Sequence, residues 1–127
     1  MALLVPAFAI LGWVGLFIHN LADLPGQTIM STESLIPLLI TGALVVLWST
    51  PLRWGATWAL LAWGLLNLVG AIVTVLPLSI LPFYPDQSFT HYAFHVVYGL
   101  TQLPLIITSA IWLRRRGTRK GARESTR

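Results

Sequence analysis

Residues 91–102, HYAFHVVYGLTQ, decide how this chain is read. Wound as an α-helix, they place His91, His95, Tyr98 and Gln102 at i, i+4, i+7 and i+11. That is one polar stripe on a segment made largely of Ala, Phe, Val, Leu and Ile. Against lipid such a stripe is costly, and it is retained where it faces protein or a water-filled cavity. The pattern predicts a helix in a membrane-embedded bundle, with the stripe turned inward.

The composition agrees. Of 127 residues, 56% are hydrophobic and 9% charged, against about 25% charged in an ordinary soluble domain. The apolar segments leave connections too short to form a soluble domain. Cysteine is absent, which excludes disulfides, thiolate metal sites, c-type haem attachment and dithiol redox chemistry. Seven of the eight basic residues lie in RRRGTRKGARESTR, residues 114–127, and the eighth is Arg53.

Outward from the stripe, three further apolar segments precede it. The first is read as a span over residues 3–22. It lacks the basic start of a signal peptide, and its Gly12, Gly15, His19 and Asp23 share one face. A polar loop with a Pro-Gly turn follows. The second span covers 34–50, with Pro37 expected in its first turn. A tight connection at 51–54 makes the second and third spans antiparallel neighbours. The third, 54–76, carries Trp63, Asn67, Gly70 and Thr74 at helical spacing. Residues 77–90 hold three prolines among apolar and aromatic residues, the composition of an interfacial segment. Ser88 or Thr90 is expected to cap the fourth span, 91–113. The basic remainder, 114–127, has no periodicity and is expected to be a disordered cytoplasmic tail.

The expected fold is therefore all-α: a polytopic membrane protein with a four-helix transmembrane bundle over residues 1–113. Four spans put both termini and the 51–54 loop on one side. That side carries every Lys and Arg, so the positive-inside rule makes it cytoplasmic. Trp48, Trp54, Trp58 and Trp112 are expected in an inner aromatic belt, and Phe83, Tyr84, Phe89 and Tyr92 in an outer one. Arg114, Arg115 and Arg116, with Trp48, Trp54 and Trp112, are the expected anchors to the bilayer. Beside a membrane, such a basic tail reads as an anionic-lipid anchor; no nucleic-acid partner is expected.

In this topology all three histidines fall in the outer half of the bundle. His19, His91, His95 and Asp23 make a donor set suited to copper, zinc or iron. His91 and His95, one helical turn apart, can reach one ion from one helix. They approach from the same side, so a bis-His haem needs His19 opposite His95. Asn67, Thr74, Tyr98 and Gln102 are read as a polar pocket between the first, third and fourth spans. The plainer alternative makes the histidines polar helix ends at headgroup level. It makes Asn67, Thr74 and Gln102 interhelical hydrogen-bonding residues, each contributing about 0.6–2 kcal/mol.

Catalytic residues are not assigned. Lys120 is the only lysine, so no buried amine is available for a Schiff base. Neither G-x-S-x-G, H-E-x-x-H nor a Gly-rich phosphate loop is present. Three functional readings remain. The first is a small non-catalytic membrane component, as an accessory subunit or homo-oligomer. The second is a metal- or haem-binding protein in redox or metal handling. The third is a small proton-coupled transporter using His95 and Asp23.

Overall fold

A computed structural model describes residues 3–82 and 84–124, with side chains to Gly117. It contains four helices: α1 (Leu4–Asp23), α2 (Thr32–Trp48), α3 (Arg53–Val73) and α4 (Phe89–Glu124). No strand occurs among the described residues. Successive helices run antiparallel, as their cross-contacts show. In α1 and α4, Gly12 meets Gln102 and His19 meets His95. Between α2 and α3, Trp48 bonds Thr57 and Trp63 bonds Thr41. Between α3 and α4, Ala71 meets His95 and Asn67 meets Tyr98. The end of α1, the start of α2, the end of α3 and the start of α4 therefore gather at one end of the bundle.

Helix α4 is central, packed most extensively against α1 and α3, whereas α2 closes the remaining side. Its inward stripe is the expected one: His95, Tyr98 and Gln102 are buried, and the same line continues through Leu105, Ser109 and Leu113. The approach of α1 to α4 depends on the absence of side chains at two glycines. A Cβ on Gly12 would stand 2.8 Å from Gln102 Oε1, and one on Gly15 only 1.9 Å from Thr101 Oγ1. Far from the histidines, Val5, Ala9, Trp48, Ala56, Leu60 and Leu105 form a compact apolar cluster.

Three helices are long and apolar enough to cross a membrane: α1, α3 and residues 89–117 of α4. Helix α2 has 17 residues, about 25 Å, short of the roughly 30 Å hydrocarbon core. It starts at Thr32 instead of residue 34, so Pro37 stands in its second turn and not its first. Helix α3 ends at Val73 instead of residue 76, because the residue before Pro77 is pushed out of the helical region. At the other end of that connection, Ser88 Oγ accepts the N–H of His91 at 3.2 Å, the expected cap. In the first loop, Gly26 supplies the positive φ, 69°, of the expected Pro-Gly turn.

Two expectations are corrected. Helix α4 does not stop at Leu113 but continues to Glu124. No proline interrupts the chain there, and Arg, Lys, Ala and Glu are good helix formers. The remaining residues of the expected tail, 125–127, lie outside the described residues, as does Phe83. Trp48 is not a belt residue: it is 4% exposed, inside the apolar cluster. Its indole N–H donates to Thr57 Oγ1 at 3.1 Å and its face carries the Arg53 guanidinium. Trp54 and Trp58 are exposed, and Trp112 is partly buried, with Arg116 over its ring. Tyr84, Phe89 and Tyr92 are exposed near the histidine end. Arg114 and Arg115 are exposed at the far end.

Candidate metal centre

The structure brings all four residues of the expected donor set together. His19 and Asp23 lie one turn apart near the end of α1, and His91 and His95 one turn apart at the start of α4. Their meeting point is a single carboxylate oxygen. Asp23 Oδ2 stands 2.9 Å from His91 Nδ1, 3.1 Å from His19 Nε2 and 3.9 Å from His95 Nε2. The Nε2 atoms of His19 and His95 are themselves 2.8 Å apart. The rings of His19 and His95 are nearly perpendicular, at 82°.

Which ring nitrogens carry hydrogen is decided by neighbours that only accept. His95 Nδ1 lies 2.8 Å from the Ala71 carbonyl oxygen; a carbonyl cannot donate, so Nδ1 is the N–H and Nε2 is bare in the neutral ring. The Ala71 carbonyl is free for this because α3 ends two residues later, leaving last-turn carbonyls without helical partners.

His19 is set by a longer chain of cause. Pro37 has no N–H, so the carbonyl of Glu33, four residues earlier in α2, loses its helical donor. Asn20 Nδ2 donates to that carbonyl at 3.1 Å, and to Ser34 Oγ at 3.1 Å. This fixes the amide orientation, since only the NH2 end can serve a carbonyl. Asn20 Oδ1 is thereby turned to His19 Nδ1, at 3.2 Å. His19 Nδ1 faces that oxygen, while its Nε2 faces two further acceptors, Asp23 Oδ2 at 3.1 Å and His95 Nε2 at 2.8 Å.

Two ring nitrogens and a carboxylate oxygen therefore converge on one point, and Asp23 Oδ2 accepts no well-formed hydrogen bond. The circle through His19 Nε2, His95 Nε2 and Asp23 Oδ2 has a radius of about 2.0 Å, the length of a zinc–imidazole bond. An ion equidistant from all three at that length would lie in their plane, at angles of about 90°, 105° and 165°, so a tetrahedral ion needs the side chains to shift. The 2.8 Å nitrogen separation suits neighbouring ligands, about 2.8–3.4 Å apart around one ion, and not the roughly 4 Å of an opposed pair. That separation does not fit the opposed bis-His haem weighed from the sequence. His91 approaches the set through Asp23 and by ring contact with His95, centroids 4.4 Å apart. Its Nε2 is buried with no partner.

The expected polar pocket is only partly assembled. Tyr98 donates to Asn67 Oδ1 at 2.6 Å, and Asn67 Nδ2 donates to the Trp63 carbonyl. Gln102 Nε2 donates across to the Gly12 carbonyl at 2.9 Å. Thr74 bonds only the Gly70 carbonyl of its own helix and joins neither pair. The groove that opens between α3 and α4 is almost wholly apolar, lined by residues such as Leu68, Ile72 and Leu100, with His95 at its wall. The sequence reading placed Asn20 only at the polar end of the first span and gave it no part in the site, where it lies against His19. Its signal was its place beside His19, but its partner was set by Pro37, in another helix. No protein-family model, curated protein or solved structure matches this chain.

Proposed function

We propose that this protein is a small four-span integral membrane component that binds a first-row transition-metal ion at the outer end of its bundle. His19, His95 and Asp23 are the ligands. The observation that carries the reading is the convergence of two imidazole nitrogens and a carboxylate oxygen within bonding reach of one ion. Two imidazoles and a carboxylate suit divalent zinc or copper better than magnesium or calcium, which take oxygen. The protein holds the ion and performs no reaction of its own.

The membrane placement has separate support. Alternating helices bring Arg53 and Arg114–Arg116 to the end opposite the histidines. That end is assigned to the cytoplasm of a plasma or inner membrane, with both termini. Helix α2 crosses despite its length by local thinning of the bilayer and by its flanking residues. Its outward face, with Ile36, Leu39 and Val46 exposed, meets lipid, another subunit or a second copy.

A proton is the rival cation: shared between the same atoms, it would make the cluster the relay of a transporter. Elemental analysis decides between them. Protein purified in detergent and equilibrated with zinc or copper should retain one ion per chain, and show no haem Soret absorbance. The His95→Ala variant should retain none. Equal metal content in the native protein and in His95→Ala would overturn the metal reading.

A further inference from the structure

We propose that the ion of this centre is divalent copper, held in a square-planar arrangement with His19 Nε2, His95 Nε2 and Asp23 Oδ2 at three of its corners. The proposal rests on the metal reading above and selects among the ions which that reading allows.

The separations between donor atoms carry it. Around a tetrahedral ion every pair of donors subtends about 109°, so at bonds of about 2.0 Å all of them stand about 3.3 Å apart. In a square plane, neighbours subtend about 90° and stand about 2.8 Å apart, and opposed donors about 4 Å. Three corners of a square therefore give two short separations and one long one. That is the pattern here. His19 Nε2 is 2.8 Å from His95 Nε2 and 3.1 Å from Asp23 Oδ2, and those two are 3.9 Å from each other. His19 is thus the middle corner, and the corner opposite it is left for water.

The rings and their partners agree with this placement. Two imidazoles aimed straight at each other across 2.8 Å, as in a linear hydrogen bond, would hold their centroids about 5 Å apart. As neighbouring corners of a square they would hold them about 4.4 Å apart. The centroids of His19 and His95 are 4.2 Å apart. Behind each ring an oxygen stands ready for its one hydrogen: Ala71 O is 2.8 Å from His95 Nδ1, and Asn20 Oδ1 is 3.2 Å from His19 Nδ1. Such partners orient a ligating imidazole and leave Nε2 to the ion. At the third corner, Asp23 Oδ2 accepts no well-formed hydrogen bond.

The electronic preference then selects the ion. Zinc gains nothing from a planar arrangement and settles into a tetrahedron, for which His95 and Asp23 would have to close from 3.9 Å to about 3.3 Å. Divalent copper and nickel both favour square-planar N/O sets, and copper binds such sets more tightly.

The experiment loads the full-length protein in detergent with Cu2+ and records its EPR spectrum. Chelator competition then ranks Cu2+, Ni2+ and Zn2+. One Cu2+ per chain should give the axial spectrum of a tetragonal ion, with wide parallel hyperfine splitting and further splitting from two imidazole nitrogens. His95→Ala should lose one of those nitrogens or the ion; His19→Ala gives the same comparison if His95→Ala does not fold. Affinity should fall in the order Cu2+, Ni2+, Zn2+, with Ni2+ about tenfold or more above Zn2+. Zn2+ binding more tightly than Ni2+, or the narrow parallel splitting of a tetrahedrally distorted ion, would overturn the copper assignment and leave the metal reading standing. A Cu2+ spectrum unchanged in both variants would place copper elsewhere and overturn the assignment as well. Retention of none of the three ions would overturn the metal reading itself.

Discussion

Asn20 shows how much of this site is set by a residue that is not a ligand. It spends its amide NH2 on Glu33 and Ser34 and turns its carbonyl to His19, so one side chain ties α1 to α2 and rests against a candidate ligand. Asn20→Leu should keep one ion per chain but weaken its binding about 10–100-fold, as loss of a supporting hydrogen bond does in metal sites. Competition against a chelator of known affinity measures this; unchanged affinity would free His19 from Asn20. The imidazoles must also be neutral to offer their lone pairs. Ion binding should therefore weaken as pH falls and protons compete for the ring nitrogens. An affinity independent of pH would argue against histidine ligands. His19 and Asp23 were legible as a pair from their spacing alone. The turn of the Asn20 amide oxygen towards His19 was not, because that depends on a carbonyl in α2.

At the scale of elements, the glycines of α1 and the proline of α2 carry opposite lessons. Gly15 lets α1 approach α4 so closely that a Cβ would overlap Thr101. Gly15→Leu should therefore cost more stability than Leu16→Ala, by about 1–3 kcal/mol or more, because a tight interface cannot absorb the added volume. Thermal unfolding in detergent compares the two, and equal midpoints would place that face towards lipid. Pro37 is the converse case. Pro37→Ala returns a helical N–H to the Glu33 carbonyl, which Asn20 now occupies. The variant should hold α2 at least as firmly yet bind the ion more weakly, although residue 37 is not among the ligands. A chelator titration beside a melting curve tests that pairing. The inward stripe of α4 was legible from the period of its polar residues. The helix end at Glu124 was not, since charge in the sequence does not distinguish a solvated helix from a coil.

For the whole molecule, orientation is the property to test. Antiparallel helices put Met30 and Asp86 at the histidine end and Gly117 at the other. Cysteines introduced singly at Met30 and Asp86 should react with an impermeant thiol reagent on intact cells, and one at Gly117 only after lysis. The reverse pattern would invert the assignment. The absence of native cysteine makes this experiment direct. By itself, the sequence determined the all-helical class, the positions of the apolar segments, and the polar stripe that had to face inward. It also showed that the basic residues are Arg53 and those from Arg114 onward. These follow from local periodicity and from the cost of polar groups in lipid, which act segment by segment. Only the tertiary structure decided that His19 and His95, 76 residues apart, meet at 2.8 Å. It also put Trp48 in the interior and left Thr74 out of the polar group. It decided how His95 and Asn20 are turned as well, because their partners are carbonyls released where α3 ends and where Pro37 interrupts α2. Those acceptors belong to other helices, and no periodicity in one segment records where another segment's hydrogen bonds run out.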